Sequence, residues 1–207
     1  MPVAPHSGSG DEIFEPRVRR VLERLEQEDA DERRLGVSRA ERARQIQPAT
    51  GRFLFALAAA RDGCKALEIG GSRGYSAIWL ASAAALRGGH LVSLELDPRK
   101  VEAWHANIAE AGLDEWAELI EGDAFKAIPN LAGSFDLCFL DAEKGDYENL
   151  FALVREKLAP GGLVVADNVI SHAETLAAYS WARQNDATVV SVTVPLDHGL
   201  EISVIVA

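Results

Sequence analysis

The chain has 207 residues and a net charge of −11, with hydrophobic residues at 48% and charged residues at 26%. That length suits one domain, or one domain with an N-terminal extension, and the balance supports a sizeable core. The acidity argues against a nucleic-acid surface, which needs a basic stripe to neutralise phosphates, and against an anionic membrane surface as partner.

Residues 1–10 are rich in Pro, Ser and Gly and read as a disordered tail, without the basic and apolar regions of a secretory signal. The apolar runs Phe53–Ala60 and Tyr75–Leu86 fall short of the roughly 20 residues that span a bilayer, so a cytoplasmic protein is expected. Cys64 and Cys138 lie beside and inside predicted strands and read as buried free thiols.

Charge is dense from Asp11 to Arg44, yet Val18, Val21, Leu22 and Leu25 fall at helical spacing. An amphipathic helix is expected there, packed on the domain or on a second subunit. Helical signals continue over Ser38–Ala49, with Ser38 as N-cap and Glu41 at the capping-box position. A further helix covers Thr50–Arg61. Residues 11–64 thus read as a helical extension ahead of a domain over 65–207.

From residue 65 the pattern is regular. A buried strand, Lys65–Gly70, leads through a glycine turn to the helix Tyr75–Leu86. The strand His90–Glu95 precedes a helix that starts at Pro98 and ends near Gly112. Trp116–Glu121 is the third strand, with a short helix at Ala124–Ile128. Phe135–Leu140 is the fourth, followed by a helix over Tyr147–Leu158 closed by Pro160-Gly161-Gly162. Leu163–Asp167 is the fifth, and the helix Glu174–Asn185 follows it. Thr188–Val194 and Glu201–Val206 have no helix between them and should pair as an antiparallel hairpin. These elements imply an α/β fold: a Rossmann-like, doubly wound, mostly parallel seven-stranded sheet ending in that hairpin.

Chemistry gathers at the strand ends. The loop Leu67-Glu68-Ile69-Gly70-Gly71-Ser72-Arg73-Gly74-Tyr75-Ser76 lets a ligand approach the backbone at a helix N-terminus. Ser72 and Tyr75 stand where a dinucleotide fingerprint needs glycine, so a dehydrogenase is disfavoured. A ligand bearing an amino-acid carboxylate suits the loop better, with Ser76 as a hydrogen-bond partner. Glu95 at the tip of the second strand is placed to accept ribose hydroxyls. Asp123 at the end of the third is placed to accept from an adenine amino group, and Ala124 leaves room for the ring. Asp141 ends the fourth strand, and Asp167 with Asn168 ends the fifth. These neighbouring oxygens suit Mg²⁺ with open positions for substrate; the plainer alternative is that Asp167 and Asn168 turn the chain into the next helix. Lys144, beside that cluster, would have its charged form disfavoured by a cation and could serve as general base.

Over residues 36 to 207 the chain resembles the cation-dependent O-methyltransferases, the group of catechol and caffeoyl-CoA O-methyltransferases and bacterial relatives. The resemblance rests on Leu67-Glu68-Ile69-Gly70 with Gly74-Tyr75-Ser76, Glu95, Gly122-Asp123-Ala124, Leu140-Asp141-Ala142-Glu143-Lys144 with Tyr147, and Asp167-Asn168-Val169. It implies a class I methyltransferase fold that binds S-adenosylmethionine through Glu68, Gly70, Ser76, Glu95, Asp123, Ala124 and Asp141. It further implies Mg²⁺ on Asp141, Asp167 and Asn168, Lys144 as catalytic base, a small vicinal-diol or catechol-like acceptor, and a homodimer. The extension over 11–64 would then contribute to the acceptor site or the dimer. Two departures bear on the acceptor: Ile170-Ser171-His172 replaces the usual leucine, aromatic and glycine, and Ala142-Glu143 offers no aromatic wall. A metal-independent methyltransferase and a non-catalytic S-adenosylmethionine-binding protein stay open as alternatives.

Overall fold

The computed structural model describes residues 14–38 and 41–206, so the tail expected over residues 1–10 lies outside the described residues. In chain order the elements are helices α1 (Pro16–Arg34) and α2 (Pro48–Ala59), strand β1 (Lys65–Ile69), α3 (Tyr75–Arg87), β2 (His90–Glu95), α4 (Pro98–Ala111), β3 (Ala117–Glu121) and α5 (Ala124–Ala127). They continue with β4 (Phe135–Leu140), α6 (Tyr147–Arg155), β5 (Leu158–Ala166), α7 (Ala173–Gln184), β6 (Val189–Val194) and β7 (Leu200–Ile205).

The strands form one sheet in the order β3-β2-β1-β4-β5-β7-β6. β1 pairs parallel with β2 and β4, β2 with β3, and β4 with β5. β7 runs antiparallel to both β5 and β6. The doubly wound sheet and its terminal hairpin are therefore as expected, with the reversed strand one place in from the edge. Central strands are apolar on both faces because helices cover both. Ala66, Leu91 and Phe139 join one layer with Leu54, Trp79 and Trp104; Leu67, Ile69 and Leu140 join the other with Phe151 and Tyr179.

α1 buries Val18, Val21, Leu22 and Leu25, the positions at helical spacing. It packs on α3 and α4, and Arg24 ties it to α4 through Asn107 and Glu110, each at 2.7 Å. The charged helix thus packs on the α/β domain of its own chain. α2 meets α3 at Gly51, where a Cβ would overlap the Trp79 indole.

Two expectations are corrected. The helix over Ser38–Ala49 does not form: residues 41–47 are turn and irregular chain, and α2 begins at Pro48. Ser38 Oγ donates to Glu41 Oε2 (2.5 Å), a bond between side chains and not the reciprocal side-chain to backbone pair of a capping box. Tertiary bonds take over beyond it, because the Ala43 N–H donates to Glu32 Oε2 (2.9 Å) and its carbonyl accepts from Ser72 Oγ (2.7 Å). Gln47, extended at φ −76° and ψ 156° before a proline, then sets the real start of α2. Secondly, Pro160-Gly161-Gly162 does not close a helix: α6 ends at Arg155, and the triplet lies within β5. A register shift between Phe135 and Leu137 accompanies it, the kind of irregularity at which a strand tolerates proline.

Cys64 and Cys138 are both free and buried. Among the described residues no helix is long and apolar enough to cross a membrane.

Candidate active site

Strand order reverses between β1 and β4, and the loops leaving those strands part there to open a crevice. The Asp141 N–H donates to the Ile69 carbonyl (3.0 Å). A Cβ on Gly70 would run into the Asp141 carbonyl oxygen, and Gly70 sits at φ +95°, so both space and backbone demand glycine. A cleft of about 310 Å³ lies over the C-terminal ends of β1 to β4, lined by Gly70, Ser72, Glu95, Asp123, Ala124 and Asp141. Five of the seven residues expected to bind cofactor meet here.

Their hydrogen bonds show how each is held. Glu95 accepts from the backbone N–H groups of Ser72 (2.7 Å), Leu96 (2.8 Å) and Asp97 (2.9 Å). A carboxylate has about four acceptor positions, so a further donor such as a ribose hydroxyl can be met. Asp123 uses Oδ1 to cap α5 at the Phe125 N–H (2.9 Å).

Glu68 lies beneath the glycine loop and is fully buried, because strand alternation points it into the layer under α3 and α4. Ser93 Oγ donates to Glu68 Oε2 (2.6 Å), and the Ser76 hydroxyl also hydrogen-bonds to the carboxyl. Oε1 has no partner. Burial pushes the Glu68 pKa up to about 7, against the pull of Ser76 and Ser93. Ser76, expected to meet a ligand carboxylate, borders a small adjoining crevice with Gly70 and Asp141. Glu68 lines neither the cleft nor this crevice, so its orphaned oxygen lies beneath the glycine-rich loop and not on the cavity wall.

Asp141 also lines a second chamber, of about 250 Å³, together with Asp167, Asn168, Arg42, Arg44 and His198. Lys144 lines neither cavity; it is buried against Asp141. Its Nζ donates to Asp141 Oδ1 (2.7 Å), the Ala142 carbonyl (3.0 Å) and the Tyr147 hydroxyl (3.0 Å). Tyr147 in turn donates to the Asp167 backbone carbonyl (3.1 Å), so one chain of hydrogen bonds joins the ends of β4 and β5.

Asp167 is buried, and Oδ1 accepts from the Asn168 N–H (2.7 Å). Burial first, and the Asp141 carboxylate second, push its pKa up. Asn168 sits at φ +68°, a left-handed turn that asparagine tolerates better than most residues. The turn into α7 is not a side-chain cap by either residue, because His172 holds the N-cap position and makes no cap bond. Among the described residues no group of three His, Cys, Asp or Glu side chains is gathered for a metal. The set at hand is two carboxylates and an amide. Its hard oxygens, with one carboxylate strained as an anion by burial and like charge, fit a divalent cation in donor chemistry.

Arg42, Arg44 and His198 were not singled out from the sequence. The arginines come from the segment tethered at Ala43. His198 comes from the β6–β7 turn, held where its carbonyl accepts from the N–H groups of Ile170 (3.1 Å) and Ser171 (3.0 Å). Asp197 beside it caps α2 through the Thr50 N–H (2.9 Å) and Oγ1 (2.7 Å). His172 lines the same chamber.

The family described as a methyltransferase domain matches residues 67–169, from β1 to just past β5. A catechol O-methyltransferase of Niastella koreensis is 38% identical over 135 residues, covering 63% of this chain and 61% of that protein. One from Mycobacterium tuberculosis is 39% identical over 131 residues, covering 61% of this chain and 58% of that protein. The chain thus spans about three fifths of the length of these curated relatives. An O-methyltransferase from Bacillus cereus, solved in complex with S-adenosylhomocysteine, matches with a TM-score of 0.77 over 94% of both chains at 22% identity. That last likeness is one of fold.

Proposed function

We propose that this chain, which belongs to the cation-dependent O-methyltransferase family, transfers the methyl group of S-adenosylmethionine to a hydroxyl of a small acceptor held beside a divalent cation. The observation that carries this reading is the position of Asp141, shared between a nucleoside-sized cleft and a second chamber holding Asp167 and Asn168, and paired with the buried Lys144. Donor and acceptor would meet at one carboxylate.

When bound, S-adenosylmethionine supplies an electrophilic sulfonium methyl, and a divalent cation such as Mg²⁺ lowers the pKa of an acceptor hydroxyl. The residues do the rest. Glu95 and Asp123 would take the ribose and adenine ends, and buried Glu68 would balance the ammonium end of the methionine portion. Asp141, Asp167 and Asn168 would hold the cation. Lys144, whose Nζ stands 2.7 Å from Asp141 Oδ1, would take the acceptor proton. Fixing the acceptor oxygen against the methyl donor removes orientational entropy from the barrier, which is the main contribution expected of the two-chamber geometry.

The test is calorimetric titration with S-adenosylhomocysteine, then methyl transfer to a simple catechol with Mg²⁺ or with EDTA. Binding together with turnover that EDTA abolishes is expected. Full turnover after exhaustive chelation would remove the cation from the reading, and absence of S-adenosylhomocysteine binding would overturn it.

A further inference from the structure

The acceptor-side chamber is lined by Arg33, Arg42 and Arg44 as well as by Asp141 and Asp167. Among its charged lining side chains three guanidiniums face two carboxylates, against a net charge of −11 for the chain as a whole. One of those carboxylates, Asp141, is already paired with Lys144 at 2.7 Å. A cation at Asp141 and Asp167 would tip the local balance further to positive.

The three arginines differ in what they already hold. Arg33 Nε is bound to Asp29 at 2.6 Å, and Arg44 stands 3.4 Å from the exposed Glu143. Arg42 Nε is buried with no hydrogen-bond partner, and no ion pair of Arg42 is found among the described residues. A buried donor without an acceptor is destabilising unless something arrives to satisfy it.

The segment that carries these side chains is fixed in place. Ala43, between Arg42 and Arg44, is tethered at its N–H by Glu32 and at its carbonyl by Ser72. Arg44 sits at φ +55°, a left-handed conformation uncommon outside glycine. Surrounding structure over-determines that bend, a pattern found where strain serves a site.

We infer that the acceptor carries an anionic group, a carboxylate foremost, in addition to the hydroxyl that is methylated, and that Arg42 is its principal partner. The class is a small dihydroxyaryl acid, one substituted ring, in keeping with a chamber of about 250 Å³. Guanidinium is the side chain best shaped for such a partner, because it pairs with carboxylate or phosphate through two parallel hydrogen bonds. This inference rests on the methyl-transfer reading above and adds the charge of its substrate.

The experiment compares kcat/KM for 3,4-dihydroxybenzoate with that for 1,2-dihydroxybenzene, in wild type and in Arg42→Gln, with S-adenosylhomocysteine titrated alongside. The acid is expected to be preferred roughly tenfold or more, and Arg42→Gln to remove most of that preference, as loss of one charge-assisted pair implies. Arg42→Lys should restore part of it. A catechol bearing a phosphate monoester, run in parallel, shows which anion the chamber takes. A ratio near one that Arg42→Gln does not move overturns the inference and leaves methyl transfer standing. If S-adenosylhomocysteine fails to bind, methyl transfer itself falls. Direct titration of the acid with Mg²⁺ then decides: binding lost in Arg42→Gln supports the anion site, and binding absent or indifferent to the change overturns it.

Discussion

The two halves of the site are built differently. In the cofactor half, Gly70, Glu95 and Asp123 each stand just at or after the end of their own strand, and much of what holds them is backbone. Glu95 takes three N–H groups within its own turn and the neighbouring loop, and Asp123 caps the helix that follows it. In the acceptor half only Asp141, Lys144, Asp167 and Asn168 belong to strand ends. The rest of the wall comes from the end of α1, a tethered turn before α2, the segment leading into α7 and the β6–β7 turn. A half made of local turns can bind one ligand in many proteins, whereas a half made of distant segments is free to change its acceptor without disturbing the sheet.

If the halves are separable, a change in one should leave the other intact. The largest effect is expected from Lys144→Ala. Loss of a general base should lower turnover by roughly 10²- to 10⁴-fold, while S-adenosylhomocysteine affinity, read by calorimetry, stays within about twofold because only the acceptor step is touched. Wild-type turnover would refute the base assignment. A parallel fall in cofactor affinity would show that the Lys144–Asp141 pair serves both halves.

Legibility in the sequence follows the same division. The strands could be read because buried β-strands are short apolar runs bounded by turn residues, and their order along the chain supplied Glu95, Asp123, Asp141 and Asp167 as successive strand-end acids. The turn over residues 41–47 could not be read, because what shapes it is Glu32 on α1 and Ser72 in the glycine loop, not the capping signal of Ser38 and Glu41. Pro160-Gly161-Gly162 misled for a similar reason: locally it spells a helix stop, and only pairing with β4 makes it strand. Arg42 and His198 carried no pattern that tells a chamber wall from a solvated surface, since their place depends on tethers to distant residues. The buried state of Lys144 was equally invisible until Tyr147 and Asp167 were seen to enclose it.

Glu68→Gln sharpens the cofactor side. In the folded protein the Glu68 pKa is up at about 7, above the ordinary glutamate value of about 4.3. Between those values the folded state keeps a proton that the unfolded chain has released. Stability therefore falls as pH rises through that window, and the loss is complete above about pH 7. Glu68→Gln removes the ionisation, so the ligand-free variant should be more stable at pH 8 by on the order of 1–3 kcal/mol and little changed at pH 4.5. Urea unfolding at the two pH values measures it. The same gain at both would mean that the carboxylate is not strained by burial. Weaker S-adenosylhomocysteine binding in the variant would tie the strain to ligand recognition.

The smallest effect expected separates two roles of one residue. Asp123 is both the N-cap of α5 and a wall of the cleft. Asparagine caps a helix about as well as aspartate, so Asp123→Asn should leave stability within about 0.5 kcal/mol, whereas Asp123→Ala should cost about 1 kcal/mol. If Asp123 also accepts a hydrogen bond from the adenine amino group, both variants should weaken S-adenosylhomocysteine binding, by roughly five- to tenfold for one lost bond. Thermal unfolding and calorimetry on the pair of variants read the two roles independently. Wild-type affinity in Asp123→Asn would leave Asp123 as a cap alone, and the adenine end of the cofactor half would then have to be held by the small Ala124 and the shape of the cleft.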